Sequence, residues 1–331
     1  MKFLLIGCGS VGKRHLRNLI KIGVDKNNIA AVDPRDDRLN EVKELGINSV
    51  FTDLDEALHN DFNASIVCSP TSMHIEQSKK LMNKNINILM EKPLCSDLKG
   101  IEDLIQLKEK NNITFMMAYV FRFSPLTKKV KELLDEKEIG QILYARGEFS
   151  EYLPDWHPYE DYRTFYMAKK ELGGGSILDQ CHIMDLFHFL IGNFSSVYAF
   201  NSKISNLEIQ ADDIAELTIE FDNKVMGSIH TDIFGRKHKK KFEIKGTEGN
   251  IIWDFYNKSV TLYKSSLNKD IIFNEFDEDF NNCYIDELNM FISACKDKSL
   301  DIPDLNVGID TMKLILEAEK SHKSKKIEYI N

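Results

Sequence analysis

Short apolar runs alternate with amphipathic stretches over the first 120 residues of the chain. Five runs rich in apolar and β-branched residues are typical of buried strands, namely Phe3–Ile6, Ile29–Asp33, Ala64–Cys68, Ile86–Met90 and Ile113–Ala118. Between them, apolar residues recur at helical spacing in Val11–Ile22, Arg38–Leu45, Met73–Met82 and Leu98–Lys108. Because strands that alternate with helices form βαβ units, we expect residues 1–120 to form a doubly wound α/β domain on a parallel sheet.

The pattern changes from about Ala145, where the predicted strands become longer and turn sequences separate them. These strands are Tyr144–Glu151, Ser196–Ile204, Ile214–Phe221, Lys224–Asp232, Lys239–Lys245 and Asn250–Asp254. One helix is predicted at Ile177–Ile191, and two more close the chain at Ile285–Ala294 and Val307–His322. We therefore expect residues 121–331 to form an α+β domain with a large, mainly antiparallel open sheet.

Composition narrows the class of partner. Of the 331 residues, 43% are apolar and 29% are charged, and the formal net charge is −9. An acidic surface does not suit nucleic acid or an anionic membrane, and no run approaches the roughly 18 apolar residues of a membrane span.

The start of the chain imitates a lipoprotein signal, but its apolar run stops at Gly7 and basic residues follow. The six cysteines form no CxxC pair. We expect a cytoplasmic protein with a small-molecule partner and no metal.

A glycine-rich turn lies between the first predicted strand and the first predicted helix. The spacing G-x-G-x-x-G is matched by Gly7-Cys8-Gly9-Ser10-Val11-Gly12. In this arrangement Gly7 permits the tight turn, Gly9 lets the backbone approach a pyrophosphate, and Gly12 allows close packing of helix on strand. The N–H groups at the start of the helix, among them those of Ser10 and Val11, then face the phosphates. The turn therefore predicts a Rossmann domain that binds a dinucleotide.

Asp33 ends the second predicted strand, 21 residues after Gly12. A carboxylate at this position accepts hydrogen bonds from the hydroxyls of the adenosine ribose and repels a 2′-phosphate, which favours NAD. Arg35 and Arg38 follow closely. Because an arginine just beyond the strand accommodates a 2′-phosphate, NADP stays open, and we include Arg35 in the predicted cofactor site.

Lys92 follows the predicted strand Ile86–Met90, at the edge where open parallel sheets bind their ligands. A lysine at that edge can donate a hydrogen bond to a substrate hydroxyl and stabilise the alkoxide that forms as its proton leaves. A surface lysine before a helix is the alternative interpretation.

A second segment with candidate catalytic residues begins at the triple glycine 173–175. It continues into a predicted helix that carries Asp179, His182 and Asp185. Their spacing puts successive pairs on neighbouring parts of one helix face. Oxidising a secondary alcohol removes a proton, and histidine exchanges protons near neutral pH. The alternative for His182 is a core histidine with satisfied ring nitrogens. No companion histidine or carboxylate stands at a typical metal-ligand spacing.

Four motifs together resemble the glucose–fructose oxidoreductase / inositol dehydrogenase (Gfo/Idh/MocA) family over essentially the whole chain. They are GCGSVGKRH (7–15), CSPTSMH (68–74), EKPL (91–94) and GGGSILDQCHIMD (173–185). The resemblance implies a nicotinamide-binding Rossmann domain, followed by an α/β domain whose open sheet builds the substrate site and commonly the oligomer contact.

The resemblance also implies roles for single residues. Lys92 matches the lysine of the EKP motif, Asp179 the acid that orients the substrate, and His182 the catalytic acid/base. The residues implied to line the dinucleotide are Ser69, Pro70, His74, Glu91 and Lys92. In many members the acid and the histidine are four residues apart, whereas here Asp179 and His182 are three apart.

Aromatic and hydrogen-bonding side chains flank these segments. The predicted substrate site consists of Lys92, Tyr119, Arg122, Trp156, Tyr162, Arg163, Asp179 and His182. Such a mixture suits a polyhydroxylated ring, although a core or interface anchor is the alternative for Trp156. The sequence WHPYEDYR (156–163) resembles a subgroup that acts on sugars or nucleotide sugars. The basic run 235–241 is interpreted as an exposed sheet edge, with a pyrophosphate-bearing substrate as the alternative.

The resulting hypothesis is an NAD(P)-dependent oxidoreductase that interconverts a secondary alcohol and a ketone on a sugar, cyclitol or (nucleotide-)sugar derivative. Lys92 and His182 would handle the hydroxyl proton. One alternative uses the same site for transient oxidation that drives elimination, hydrolysis or epimerisation, and another is a non-catalytic dinucleotide sensor. Because apolar residues are available to both faces of the second sheet, we also expect a homodimer or homotetramer.

Overall fold

The chain forms two compact units. A computed structural model describes residues 1–156, 158, 160–276 and 279–330. The first unit comprises Met1–Val120 and Phe280–Ile309, and the second comprises Phe121–Asp279 and Asp310–Asn331. None of the helices in the described part of the chain is both long and apolar enough to cross a bilayer. All six cysteines are free.

The elements alternate in the first half and become strand-rich in the second. The strands of the described residues are β1 (Phe3–Ile6), β2 (Ile29–Val32), β3 (Ser49–Phe51), β4 (Ala64–Val67), β5 (Asn87–Glu91), β6 (Phe115–Ala118), β7 (Ile142–Tyr152), β8 (Phe194–Ser202), β9 (Ile214–Phe221), β10 (Met226–Asp232), β11 (Phe234–Gly246), β12 (Gly249–Asp254), β13 (Ser259–Lys264), β14 (Lys269–Phe273) and β15 (Glu328–Tyr329). The α-helices are α1 (Ser10–Lys21), α2 (Asp36–Glu44), α3 (Leu54–Ala57), α4 (His74–Asn83), α5 (Ile101–Lys110), α6 (Pro125–Asp135), α7 (Ser176–Asp179), α8 (His182–Ile191), α9 (Asn281–Lys296) and α10 (Leu305–Ser324).

The first sheet has six parallel strands in the order β3-β2-β1-β4-β5-β6, which is the order of a dinucleotide-binding Rossmann domain. Every residue of β1, β2, β4 and β6 is buried, so both faces of these strands are covered. The predicted α/β class is confirmed. The short edge strand β3 has no counterpart in the prediction, because three partly exposed residues carry no periodic signal.

The segment Phe280–Ile309 packs in the first unit, whereas the prediction assigned all of 121–331 to a second domain. Helix α9 lies against α1, and the Asn281 amide donates to Asn18 Oδ1 at 2.8 Å. Leu288 and Phe291 of α9 are fully buried. The sequence shows an amphipathic helix here, but its periodicity does not tell which unit covers the apolar face.

The second sheet has nine strands in the order β14-β13-β12-β11-β7-β10-β9-β8-β15. All neighbours are antiparallel except β7 and β10, which pair in parallel, so the predicted large, mainly antiparallel sheet is confirmed as a mixed sheet.

The two faces of this sheet differ more than predicted. On β9, Leu217 and Ile219 are buried, whereas Glu216 and Thr218 of the opposite face are exposed. Because successive side chains of a strand point to opposite faces, one face forms the core and the other carries mostly polar groups. On β9 the expected apolar residues of the second face are reduced to Ile214.

Within the basic run 235–241 of β11, Lys239, Lys240 and Lys241 pair with β7, and Lys241 also pairs with β12. The predicted exposed edge stays a prediction for the start of the run. Lys239 and Lys241 are half-exposed and pair with Glu148 and Asp254. Lys240 points to the covered face instead. Lys239 and Lys241 therefore neutralise carboxylates of the neighbouring strands β7 and β12.

The helix predicted at Ile177–Ile191 is two helices. α7 ends at Asp179 and α8 begins at His182, and Gln180 between them has φ −83° and ψ 18°. The apolar pattern continues across the break, so the periodicity does not reveal it. The break lies between the two residues with predicted chemistry.

Candidate active site

The glycine-rich turn connects β1 to α1 in a shape that leaves room for a ligand. Gly7 has φ +92°, and a Cβ there would lie 2.6 Å from the backbone nitrogen of Ser69. A Cβ on Gly12 would lie 2.0 Å from the carbonyl oxygen of Gly7. A Cβ on Gly9, by contrast, would meet no atom within 4 Å. The turn is therefore closely packed at its two ends and open at Gly9, where the backbone N–H groups of α1 begin, as binding of a dinucleotide pyrophosphate requires.

Asp33 connects this turn to the end of β2. Its side chain is 2% exposed, and its two oxygens accept hydrogen bonds from the backbone nitrogens of Cys8, at 2.7 Å, and Arg35, at 2.9 Å. The Arg38 guanidinium lies 3.4 Å from the same carboxylate. Each carboxylate oxygen accepts more than one hydrogen bond, so capacity remains for ribose hydroxyls.

Arg35 points toward Asp37 rather than along the turn. Its guanidinium donates to both carboxylate oxygens of Asp37, at 3.0 and 2.5 Å. This pairing lowers the pKa of Asp37 to about 2. A direct contact of Arg35 with the nucleotide stays a prediction.

The 69–74 segment is held by its histidine. His74 is 1% exposed, with Nε2 2.9 Å from the Ser69 carbonyl oxygen and Nδ1 2.9 Å from the Pro93 carbonyl oxygen. Burial lowers the pKa of His74. Ser69 Oγ donates to Gln77 Oε1 at 2.5 Å. His74 thus links the loop after β4 to the loop after β5, and contact of Ser69, Pro70 or His74 with the dinucleotide stays a prediction.

Glu91 and Lys92 stand at the carboxyl end of β5. The Lys92 backbone N–H donates to Glu91 Oε2 at 3.3 Å, and Glu91 Oε1 lies 2.9 Å from His15 Nε2. The Lys92–Pro93 peptide bond is cis. Tyr119, which follows β6, is fully buried in the first unit. Its role in substrate binding stays a prediction.

His15, Cys68 and Glu91 form one group of potential metal ligands among the described residues, with ligand atoms within 4.8 Å of one another. The hydrogen bond between His15 and Glu91 already accounts for two of these side chains. Burial raises the pKa of the Cys68 thiol well above its usual value, and the neutral thiol is a poor metal ligand. We therefore assign no metal to this group.

In the second unit, Asp179 and His182 flank the break between α7 and α8. Asp179 is 7% exposed, and its Oδ1 accepts a hydrogen bond from the Tyr166 hydroxyl at 2.9 Å. His182 is partly exposed, and its ring lies edge-on to Phe121 with centroids 4.9 Å apart. The geometry thus brings an oriented carboxylate and a partly exposed imidazole onto one short stretch of chain. Tyr166 was missed, because nothing local in the sequence connects it to Asp179, 13 residues away.

Arg122, a predicted substrate residue, is engaged by Asp185. Its Nε lies 3.0 Å from both carboxylate oxygens, and its Nη2 donates to Oδ1 at 2.7 Å. The guanidinium also stacks on Phe189 at 4.6 Å from the ring centroid. Burial raises the pKa of Asp185, and the arginine opposes that effect. The pair fixes α8 to the segment that starts the second unit, and a substrate contact of Arg122 stays a prediction.

The other predicted substrate residues surround a small apolar cluster. Trp156 and Tyr162 pack against a buried cluster of Leu153, Met167, Ala168, Leu207, Ile209 and Ile233. Arg163 is half-exposed and pairs with Asp161 and Glu208. Within the sequence 156–163, His157 and Tyr159 lie outside the described residues. This packing matches the interpretation of Trp156 as an anchor, and the substrate contacts of Trp156, Tyr162 and Arg163 stay predictions.

Comparison with known proteins covers both units. A family model described as an oxidoreductase family with an NAD-binding Rossmann fold matches residues 1–119, and one described as the GFO/IDH/MocA C-terminal domain matches residues 127–252. A levoglucosan dehydrogenase solved in complex with NADH has a TM-score of 0.89 at 19% identity, covering 100% of this chain and 99% of that chain. This likeness shows the fold.

Two relatives are similar along most of the sequence. Myo-inositol 2-dehydrogenase of Thermotoga maritima is 27% identical over 310 residues, covering 89% of this chain and 88% of that protein. The scyllo-inositol 2-dehydrogenase (NAD(+)) of Bacillus subtilis is 26% identical over 318 residues, covering 92% and 90%. Together with the Rossmann sheet and the matches to both domains, these similarities establish that the chain belongs to the Gfo/Idh/MocA family of NAD-binding oxidoreductases.

Proposed function

We propose that this protein is an NAD-dependent dehydrogenase that interconverts a secondary alcohol and a ketone on a sugar or cyclitol. The observation that carries the proposal is the pair of Asp179 and His182 at the break between α7 and α8, with Asp179 oriented by Tyr166. An acid/base of this kind has no use in a protein that merely stores or senses a dinucleotide.

The chemistry divides between cofactor and protein. Bound NAD supplies the acceptor for the hydride. His182 takes the hydroxyl proton of the alcohol in one direction and returns it in the other. Lys92 donates a hydrogen bond to the same oxygen and stabilises its negative charge, and Asp179 orients the substrate. Asp33 binds the adenosine ribose, which favours NAD over NADP.

The substrate class rests on the relatives and on the polar side chains of the site. The similar proteins are named as dehydrogenases of myo-inositol, scyllo-inositol and levoglucosan, all of which are polyhydroxylated rings. We extend this class to the present chain, and further propose a cytoplasmic location and a homo-oligomeric state.

A substrate panel tests the function. The protein is mixed with NAD and, separately, with myo-inositol, scyllo-inositol, levoglucosan, D-xylose and a nucleotide sugar. Absorbance of the reduced nicotinamide and chemical conversion of each compound are both followed. We expect NADH to accumulate in stoichiometric amounts with at least one polyol. Conversion of a sugar without accumulation of NADH would instead favour transient oxidation, and NAD binding with no conversion of any sugar or nucleotide sugar would favour a sensor.

Lys92→Ala and His182→Ala should each lower kcat by at least about a hundredfold, because loss of a positioned acid/base typically has effects of this size. NAD affinity should change little, since the glycine-rich turn and Asp33 hold the dinucleotide. The losses should not add in the double variant if both residues act on one hydroxyl. Lys99→Ala, at an exposed position in the loop after β5, serves as the control. Near-normal turnover in folded His182→Ala would transfer the acid/base role to Asp179 or Tyr162.

A further inference from the structure

The break between α7 and α8 is anchored to β7, the central strand of the second sheet. Gln180 is 2% exposed, and its Nε2 donates to Glu151 Oε2 at 3.2 Å. Residue 180 directly follows Asp179 and stands two positions before His182. The two residues with proposed chemistry therefore lie on either side of an anchored side chain.

Glu151 is a buried carboxylate with a full set of partners. It is 8% exposed, and its Oε1 accepts hydrogen bonds from Lys240 Nζ and from the Tyr256 hydroxyl, both at 2.7 Å. Burial opposes the charge, but the Lys240 ammonium and the three hydrogen bonds outweigh burial and lower the pKa of Glu151. The carboxylate is thus ionised near neutral pH and is a strong acceptor for the Gln180 amide.

The neighbourhood of this network is apolar on one side. The Lys240 ammonium lies 5.7 Å from the centroid of Phe121 and 5.8 Å from that of Phe149. Phe121 in turn contacts the His182 ring. A buried ion pair here contributes little net stability compared with apolar side chains of similar volume, so stability alone does not explain it. The carboxylate does supply a fixed acceptor that apolar packing would not offer to Gln180.

We propose that Glu151, acting through Gln180, is a positioning residue that sets the orientation of Asp179 and His182. This inference rests on the proposed function, in which His182 carries the proton. Helix α7 has four residues, too few to hold its own direction, so tertiary contacts must fix it, and the hydrogen bond of Gln180 to Glu151 is the contact made at the break itself. A displacement of about 1 Å at a catalytic group can lower turnover by as much as about a hundredfold.

Two matched variants test the inference. Gln180→Met and Tyr256→Phe each remove one hydrogen bond to Glu151, keep its charge and its partner Lys240, and change side-chain volume little. We expect both to fold and to bind NAD as the wild type does. Gln180→Met should lower kcat at least about tenfold with an unchanged KM for NAD, whereas Tyr256→Phe should stay within about twofold of the wild type. Equal kcat values for the two variants would overturn the inference.

A second measurement needs no substrate. The protein is prepared with isotope-labelled histidine, and the ring signals of His182 are assigned by their loss in His182→Ala and followed by NMR as a function of pH. We expect the His182 signals and their titration to shift in Gln180→Met and to stay unchanged in Tyr256→Phe. Unchanged signals in both variants, or equal shifts in both, would contradict the inference.

The outcomes separate the two proposals. If His182→Ala keeps normal turnover, the assignment of the proton to His182 fails, whatever Gln180→Met does. If His182→Ala loses turnover while Gln180→Met matches the wild type in kcat and in the His182 signals, the positioning role fails and the proposed function stands.

Discussion

The carboxylate of Asp33 is buried just after β2, and it already stabilises the protein's own backbone through hydrogen bonds. Its oxygens accept hydrogen bonds from the backbone of Cys8, inside the glycine-rich turn, and of Arg35. The hydrogen bond to Cys8 holds the turn against the strand. Under the proposed function, a ribose diol would meet an acceptor that is already oriented, which reduces the entropy lost on binding.

Replacing Asp33 separates its two contributions. In Asp33→Ala we expect weaker NAD binding and a smaller preference for NAD over NADP, because both the ribose acceptor and the repulsion of a 2′-phosphate are lost. Asp33→Asn, the matched control, keeps one acceptor oxygen but removes the charge. It should retain more of the NAD affinity while also losing discrimination. Dissociation constants of NADH and NADPH, measured by the fluorescence of the reduced nicotinamide, check this, and an unchanged NADH/NADPH ratio in both variants would contradict the role.

At the scale of elements, the first turn of α7 is held by a distant residue, Asp212. The backbone nitrogen of Ile177 donates to Asp212 Oδ2 at 3.0 Å, and that of Ser176 donates to the Asp212 carbonyl oxygen at 3.1 Å. Gly175, just before the helix, has φ +127°, and a Cβ there would lie 2.2 Å from Asp212 Oδ1. A glycine is thus required for Asp212 to reach the first turn of α7.

Asp212 should make the free energy of unfolding fall as pH rises. A carboxylate paired with a cation has the opposite effect, because its pKa is lowered in the folded protein. Burial raises its pKa to about 6 from an ordinary value of 3.8, so the folded protein binds the proton more tightly than the unfolded chain. Its contribution to the free energy of unfolding is then greatest below about pH 4 and declines as pH rises through about 6. Asp212→Asn keeps an acceptor for Ile177 and lacks this decline.

Urea unfolding of both proteins between pH 4 and pH 8 provides the measurement. The free energy of unfolding of Asp212→Asn, relative to the wild type, should rise by on the order of 1–3 kcal/mol between pH 4 and pH 7 and then level off. A difference that stays constant with pH would show that Asp212 titrates alike in the folded and unfolded states.

At the scale of the whole molecule, the face of the nine-stranded sheet that carries Glu216 and Thr218 exposes both polar and apolar side chains among the described residues. Cross-strand register puts Phe200, Glu216, His230 and Glu148 in one row of this face. Phe200, Met226 and Ile272, which share the face, are 52%, 53% and 61% exposed. Large apolar side chains scattered among charged ones fit a contact between protein surfaces that is partly polar.

We expect the protein to form a homodimer or homotetramer through this face. Light scattering at micromolar concentration should give a mass of at least twice 38.2 kDa. Thr218→Arg, which places a large cation on the exposed side of β9, should dissociate the assembly, whereas Asn83→Arg at the exposed end of α4 should leave it intact. A monomeric wild type, or an unchanged mass in Thr218→Arg, would count against an interface here.

Much of the first unit follows from its local pattern. Strands β1, β2 and β4 are buried on both faces, so each appears as an uninterrupted apolar run, and its position is predicted within a residue. The site was predicted less completely. Lys92 and His182 were predicted because they lie within motifs, and their roles stay predictions. Tyr166, which donates a hydrogen bond to Asp179, was not predicted, since a tyrosine in an aromatic-rich loop resembles many others.

The sequence by itself determined the features that depend on neighbouring residues along the chain. These are the buried strands, the helix periodicity and the glycine spacing that leaves Gly9 open. The tertiary structure alone decided which distant side chains meet. Gln180 and Glu151 are 29 residues apart, Arg122 and Asp185 are 63 apart, and Lys240 and Glu151 are 89 apart. Such contacts exist only in the folded second unit, because its tertiary packing brings these residues together. A pattern of hydrophobic and polar positions records that a residue is buried, but it does not record the partner that burial requires.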